Sequence, residues 1–116
     1  MSHPSYAKGA TFERKCQAWL VHLGECVRSI MSRKPDLTLT SSLRRWTVSC
    51  KKIAKGKMRY RMIRNELEDH DICMTAEDYD PFPMVHIYAP KFIELCGKAQ
   101  ADDLAEFYIV PEELAS

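Results

Sequence analysis

The chain has 116 residues, of which 46% are hydrophobic and 28% charged, and its formal net charge is +1. This composition is ordinary for a folded protein and predicts a single domain over residues 1–116, with frayed ends at 1–7 and 111–116. No run of about 18 apolar residues is present, and the N-terminal residues lack the apolar core of a signal peptide. A membrane span is therefore excluded, and a cytoplasmic location is expected.

The charges are strongly segregated along the chain. Residues 1–67 hold fifteen Lys and Arg against four acids, a net charge of +11, whereas residues 68–116 hold two Lys against twelve acids, a net charge of −10. No acid occurs between Leu37 and Asn65, where nine basic residues lie. Such a block indicates a surface that binds a polyanion such as nucleic acid. The alternative is a solvated basic surface that the acidic tail neutralises.

The five cysteines are widely spaced, and none forms a C-x-x-C pair; they are Cys16, Cys26, Cys50, Cys73 and Cys96. This spacing favours neither a zinc site nor a disulfide framework. We therefore expect reduced, buried thiols.

The first predicted element is a helix from about Ala10 to Leu23, with Thr11 as its N-cap and Gly24 as its stop. Its apolar residues recur at helical spacing and are expected to face the core. They are Phe12, Cys16, Trp19, Leu20 and Leu23.

Three strands are predicted next. The segment ECVRSIMS (25–32) fits a short strand, and Pro35 then breaks the chain. DLTLT (36–40) and RRWTVSCKK (44–52) alternate apolar and polar residues, and TSSL is short enough to connect them as a hairpin. In the third strand, one face is expected to hold Trp46, Val48 and Cys50 and the other Thr47, Ser49 and Lys51.

The second half predicts a helix in KMRYRMIRNELEDH (57–70) and strands in DICMTAE (71–77) and FPMVHIY (82–88). Pro90 suits the first turn of a last helix that extends to about Lys98. A further helical turn and a short edge strand near 107–110 are expected beyond it. The order is helix, three strands, helix, two strands, helix, which predicts an α/β fold with a mixed central β-sheet flanked by helices.

Four polar residues are expected to converge on one edge of this sheet. Asp36 begins a strand and Lys51 ends its antiparallel neighbour, so the two approach each other on the face that Ser49 shares. Glu13, on the flank of the first helix, can reach the same edge. Carboxylates and a lysine within a basic surface are what metal-assisted phosphodiester hydrolysis requires. The simpler interpretation is that Asp36 caps a turn and Lys51 extends into solvent.

The segments KPD (34–36) and SCK (49–51) resemble the two parts of the PD-(D/E)XK nuclease motif, in which an acid after proline precedes an acid-x-lysine strand. KGATFERK (8–15) resembles the first helix of the Holliday-junction resolvase-like members, and residues 57–95 resemble the tail of their small phage and prophage relatives. The resemblance implies a Mg²⁺-dependent endonuclease, with Mn²⁺ as a substitute, that acts on branched or duplex DNA. It also implies a homodimer, a role in phage DNA recombination, and a bacterial or phage-infected host cell.

By this resemblance, Glu13 and Asp36 are the catalytic acids and metal ligands, and Lys51 is the catalytic lysine. The backbone carbonyl of Cys50 matches a further metal-ligand position. Ser49 occupies a catalytic position where the motif has Glu or Asp, and a neutral hydroxyl is a weaker Mg²⁺ ligand than a carboxylate.

Three explanations of Ser49 stay open. It is an engineered substitution, or it is natural in a degenerate nuclease kept for binding, or another acid such as Glu66 of the second helix supplies the missing ligand. The second explanation corresponds to an alternative function, a nucleic-acid-binding module of the same fold. A third function, a protein-interaction domain whose basic and acidic halves pair between subunits, is also considered.

Basic residues near the motif are expected to contact DNA phosphates without reading sequence, so that binding weakens with salt. Tyr60 and its arginine neighbours suit phosphate contact and base stacking, although Tyr60 in the core is the alternative. The predicted DNA-binding residues are Lys8, Arg44, Arg45, Lys52, Lys55, Lys57, Arg59 and Arg61.

Overall fold

The computed structural model describes residues 4–29, 34–41 and 44–97, with side chains from residue 9 onward. These ranges contain three helices and five strands: α1 (Pro4–Leu20), β1 (Glu25–Arg28), β2 (Leu37–Ser41), β3 (Arg44–Ile53), α2 (Tyr60–Asp69), β4 (Ile72–Glu77), β5 (Met84–His86) and α3 (Ala89–Leu95). The predicted α/β class with a mixed central sheet is confirmed. None of the helices in these ranges has the length and apolarity needed to cross a bilayer.

The five strands form one sheet in the order β1-β2-β3-β4-β5. The pairs β1–β2, β2–β3 and β4–β5 are antiparallel, whereas β3 and β4 are parallel. A parallel pair needs a crossover connection, and α2 supplies it between β3 and β4. As a result α2 lies next to the central strands, where its side chains can meet those of β3.

The hydrophobic core lies between α1 and one face of the sheet. Phe12, Cys16 and Leu20 of α1 are buried at a spacing of four residues and join Trp46 and Val48 of β3 in one cluster. A residue every four positions keeps one stripe of a helix toward the sheet. The cluster also includes residues of β2 and β4, and Leu95 of α3.

The predicted first helix differs from α1 at both ends. It begins at Pro4, because proline is tolerated in a first turn, and Thr11 therefore lies inside the helix and is not its N-cap. It ends at Leu20, and residues 21–23 form a turn. Trp19 and Leu23 are half exposed, because one lies on the flank of the buried stripe and the other beyond the end of the helix.

β1 ends at Arg28, whereas the predicted strand extends to residue 32, and α2 begins at Tyr60 and not at residue 57. The other boundaries are close to those predicted, except at β5. That strand has only three residues, because Pro81 and Pro83 just before it cannot donate to a ladder. Pro90 lies in the first turn of α3 as expected. The elements predicted beyond residue 97 lie outside the described residues.

The cysteines differ in burial. Cys16, Cys26 and Cys73 are buried as predicted, and Cys50 is partly buried. Cys96 follows the last turn of α3 and is exposed, so the expectation of burial is wrong there.

Candidate functional site

Asp36 is fixed at the point where β2 separates from β3. The pairing of these strands ends at Leu37 and Val48, and beyond it the Cys50 N–H donates to Asp36 Oδ2 at 2.7 Å. A backbone donor without a strand partner needs another acceptor, and the carboxylate provides one. The sequence places Asp36 at the mouth of the strand, and this bond holds its carboxylate against β3.

Lys51 of β3 forms an ion pair with α2. Its Nζ lies 2.9 Å from Glu66 Oε1. The hydrogen bond with Glu66 raises the pKa of Lys51, the charges of Glu66 and Asp36 raise it further, and burial opposes them. The ammonium therefore stays protonated at neutral pH, and it feels the charges of both Asp36 and Glu66.

Glu66 is largely buried on the side of α2 that faces Lys51. Burial alone would raise the pKa of this carboxyl, but the hydrogen bond from Lys51 and the charges of Lys51 and Lys34 outweigh it and lower the pKa. His70 Nδ1 lies 3.7 Å from Glu66 Oε2. The sequence suggests Glu66 only as an acid that could supply the ligand missing at Ser49. The available signal was its position, since it is the first acid after Asp36 and lies in the crossover helix.

Ser49 lies on the same face of β3 as Lys51 and is fully buried. Within the described part of the chain, its Oγ has no hydrogen-bond partner. A buried hydroxyl without a partner is costly, so its presence beside the ion pair calls for a reason.

Glu13 is engaged elsewhere. Its Oε2 accepts hydrogen bonds from Arg28 Nη2 at 3.1 Å and Arg28 Nε at 3.3 Å. The pKa of the Cys50 thiol is raised first by its hydrogen bond with Cys16, then by burial, and also by the negative charges of Asp36 and Glu13. Glu13 is thus near Cys50 on the side that α1 covers, whereas Lys51 and Glu66 meet on the side that α2 covers.

The donors at this edge suit a hard cation. Among the residues described, no three His, Cys, Asp or Glu side chains are grouped to hold a metal ion. Mg²⁺, however, usually takes only one or two carboxylates from the protein and completes its shell with substrate phosphates and water. Asp36 and Glu66, with the unpartnered Ser49 Oγ on the same side, fit that requirement. These three side chains supply oxygen ligands, and a histidine nitrogen, His70 Nδ1, lies 3.7 Å from Glu66 Oε2.

The segment between β3 and α2 carries exposed cations, and we call residues 54–59 the cationic loop. Lys55, Lys57 and Arg59 are exposed in it, and none of them forms an ion pair with another described residue. Gly56 supports the turn with a φ of +79°. Glu77 Oε2 accepts the Met58 N–H at 3.1 Å and anchors the loop to the end of β4.

Two of the predicted DNA-binding residues are held by the fold. Arg44 pairs with Glu94 at 2.6 Å and Asp71 at 2.8 Å, and its guanidinium lies 3.9 Å from the Trp46 ring centroid. Lys52 Nζ donates to the Glu77 carbonyl at 3.3 Å. These interactions give both side chains a structural role.

The other predicted cations remain at the surface. Arg45 and Arg61 are exposed, and Lys8 lies in α1. Tyr60 is 71% exposed, so its alternative placement in the core is wrong.

No family model, curated protein or solved structure matches this chain. The fold and the geometry alone define its class: a mixed α/β domain with a carboxylate–lysine cluster where its central strands separate.

Proposed function

We propose that this protein is a Mg²⁺-dependent DNA endonuclease of the PD-(D/E)XK class in which Asp36 and Glu66 hold the metal and Lys51 lies beside the scissile phosphate. The observation that carries the proposal is the 2.9 Å ion pair between Lys51 and Glu66, on a lysine that also feels the charge of Asp36. An acid from α2 thereby takes the place of the carboxylate that the motif has at Ser49.

The element order supports this class. The order of one helix, three strands, a crossover helix, two strands and a last helix is compatible with the order that the resemblance implies. In that arrangement, the motif aspartate and lysine lie on neighbouring central strands. Asp36 and Lys51 are each partly exposed, so a phosphate group can reach them.

The two acids and the lysine have distinct roles in this mechanism. The bound Mg²⁺ would supply a Lewis acid and lower the pKa of a bound water, which makes a nucleophile available at neutral pH. Asp36 is pre-positioned by its bond to the Cys50 N–H. Lys51 is protonated at neutral pH, so it stabilises negative charge that develops on the phosphate and does not serve as the general base.

The cationic loop would carry the DNA backbone toward these residues. Lys55, Lys57 and Arg59, with Arg61 on the first turn of α2, present exposed charge one short segment away from Lys51. Phosphate contacts of this kind position the duplex and carry no sequence information. Binding through these contacts would therefore be independent of DNA sequence.

The remaining features rest on the resemblance alone. We propose a homodimer that acts on branched DNA, as Holliday-junction resolvases do, during phage DNA recombination. Segregation of the chain into a basic and an acidic part is compatible with pairing between two copies.

A second candidate is a nucleic-acid-binding module that does not cleave. The observation in its favour is that Ser49 is neutral and that Glu66 already neutralises Lys51. In this case, the cluster would only stabilise the junction between β3 and α2.

A cleavage assay separates the two candidates. The unmodified protein, Asp36→Asn and Glu66→Gln are incubated with four-way-junction and linear DNA in Mg²⁺ or Mn²⁺. We expect cleavage by the unmodified protein and a loss of about a thousandfold or more in each variant, since each removes a metal carboxylate. Glu68→Gln is the matched control, because Glu68 is exposed on the same helix.

Three outcomes are informative. Cleavage by Glu66→Gln at the unmodified rate would show that Glu66 is not a ligand. DNA binding without cleavage by any form would favour the binding module. A Ser49→Glu variant is assayed alongside them. If it alone cleaves, the nuclease class holds but Glu66 does not replace the strand acid.

A further inference from the structure

A groove runs between α2 and the edge strand β5. Its volume is about 310 Å³. Tyr60, Ile63 and Arg64 line it from α2, and Val85, His86 and Tyr88 line it from β5 and the following residues. This volume is at the low end of the range of about 300–1,000 Å³ for small-molecule sites, so it suits one nucleotide and not a base pair.

The walls of the groove carry exposed aromatic rings. Tyr60 is 71% exposed and Tyr88 is 48% exposed, and they belong to different elements. The guanidinium carbon of Arg64 lies 5.8 Å from the Tyr60 ring centroid. An aromatic ring with an arginine beside it is the combination on which nucleic-acid bases stack.

The charge of the groove favours an anionic ligand. Among the described residues, its lining includes Arg64 and no acid. His86 Nε2 is bonded to Thr75 Oγ1 at 2.7 Å, and burial lowers the pKa of His86, so this ring is neutral at neutral pH. Ile63 and Val85 contribute apolar surface to the lining. The cationic loop ends at Arg59, next to Tyr60, the first residue of α2.

We propose that this groove binds one unpaired nucleobase of a DNA strand, with Tyr60 stacked on the base and Arg64 directed to the adjacent phosphate. The inference rests on the proposed action on DNA and names the substrate more closely: DNA with an unpaired or displaced base near the cleavage site. Duplex DNA offers no free base face and would use the cationic loop alone.

The test is a binding titration without divalent metal, so that cleavage plays no part. Fluorescence anisotropy is measured with a labelled oligothymidine and with a fully paired duplex of the same length. Tyr60→Ala is expected to weaken single-strand binding by about fivefold or more and to leave duplex binding unchanged. Tyr60→Phe keeps the ring and should bind like the unmodified protein.

Tyr79→Ala is the matched control, because Tyr79 is the most exposed tyrosine described and lies outside the groove. It should bind both probes normally. Equal loss of single-strand and duplex binding in Tyr60→Ala, or no loss at all, would overturn the base-binding role. So would size-exclusion data in which Tyr60→Ala alone dissociates a dimer, since the groove would then be a subunit interface.

Failure of the nuclease proposal gives a different result. If the protein never cleaves but binds oligothymidine in a Tyr60-dependent way, the proposed base-binding groove is supported and the proposed metal site is wrong. If the unmodified protein binds neither probe, the groove assignment is wrong.

Discussion

At the level of single residues, two buried hydroxyls on neighbouring strands differ in whether they are hydrogen-bonded. Ser49 Oγ has no partner among the described residues, whereas Thr75 Oγ1 is bonded to His86. Both side chains are fully buried. The pair therefore isolates the cost of an unsatisfied hydroxyl.

We expect Ser49→Ala to stabilise the metal-free protein by about 1 kcal/mol, since it removes a buried group that lacks a hydrogen bond. Thr75→Val should instead destabilise it by about 1–2 kcal/mol, because it leaves His86 without its partner. Urea denaturation measures both. Equal decreases in the free energy of unfolding of the two variants would mean that Ser49 is hydrogen-bonded.

Glu66 should make the stability of the protein depend on acid. Its folded pKa lies below the ordinary value of 4.5, so its contribution is complete above that value and is lost as the pH falls through the folded pKa. At pH 7 we expect the free energy of unfolding of the Glu66→Gln variant to be about 1–3 kcal/mol lower than that of the unmodified protein. The two free energies should converge in acid. Thermal unfolding from pH 7 to pH 3 measures the difference, and Glu68→Gln is the control. A difference that stays constant with pH would exclude a charge effect.

Only part of the site can be predicted from the sequence. The approach of Asp36 to Lys51 follows from strand alternation and hairpin pairing, which are local rules. The partners of Glu13 and Glu66 do not follow from local rules, because they depend on how α1 and α2 lie over the sheet.

At the level of elements, the start of β1 depends on a close backbone approach at Gly24. A Cβ at this position would overlap the carbonyl oxygen of Thr40 in β2. Gly9, inside α1, has nothing within 4 Å of a Cβ position. A side chain is therefore excluded at Gly24 unless β1 moves, whereas Gly9 has room for one.

Gly24→Ala is expected to destabilise the protein by about 1–3 kcal/mol, since β1 must move away from β2. Gly9→Ala should stabilise it by about 0.5–1 kcal/mol, because alanine is a better helix former. Chemical denaturation of both variants gives the comparison. A stabilised Gly24→Ala protein would show that β1 and β2 are not so closely paired.

Element predictions succeeded where the hydrophobic period was clear. The alternation in β2 and β3 gave those strands almost to the residue. β5 spans Met84–His86, two residues shorter at each end than the predicted 82–88, and Pro81 and Pro83 account for its late start. The periodicity of an edge strand carries no burial signal, so sequence could not set its length.

At the level of the whole molecule, the charge segregation predicts salt-dependent DNA binding. Removing one cation that neutralises a DNA phosphate should reduce the slope of log affinity against log salt by about 0.7–0.9. We expect Lys55→Gln and Lys57→Gln each to produce this change on any DNA sequence. Lys15→Gln is the control, since Lys15 is an exposed cation on α1. If the loop variants leave this slope unchanged, the cationic loop does not contact DNA phosphates.

The sequence by itself determined the α/β class, the inward faces of the central strands and the cationic segment, because periodicity and composition are properties of neighbouring residues. The tertiary structure decided which charges are neutralised. Arg44 meets acids 27 and 50 residues away, and Lys51 meets Glu66 through the crossover helix. Such pairs form only when the chain returns to the same place in the fold, so no local pattern reveals them.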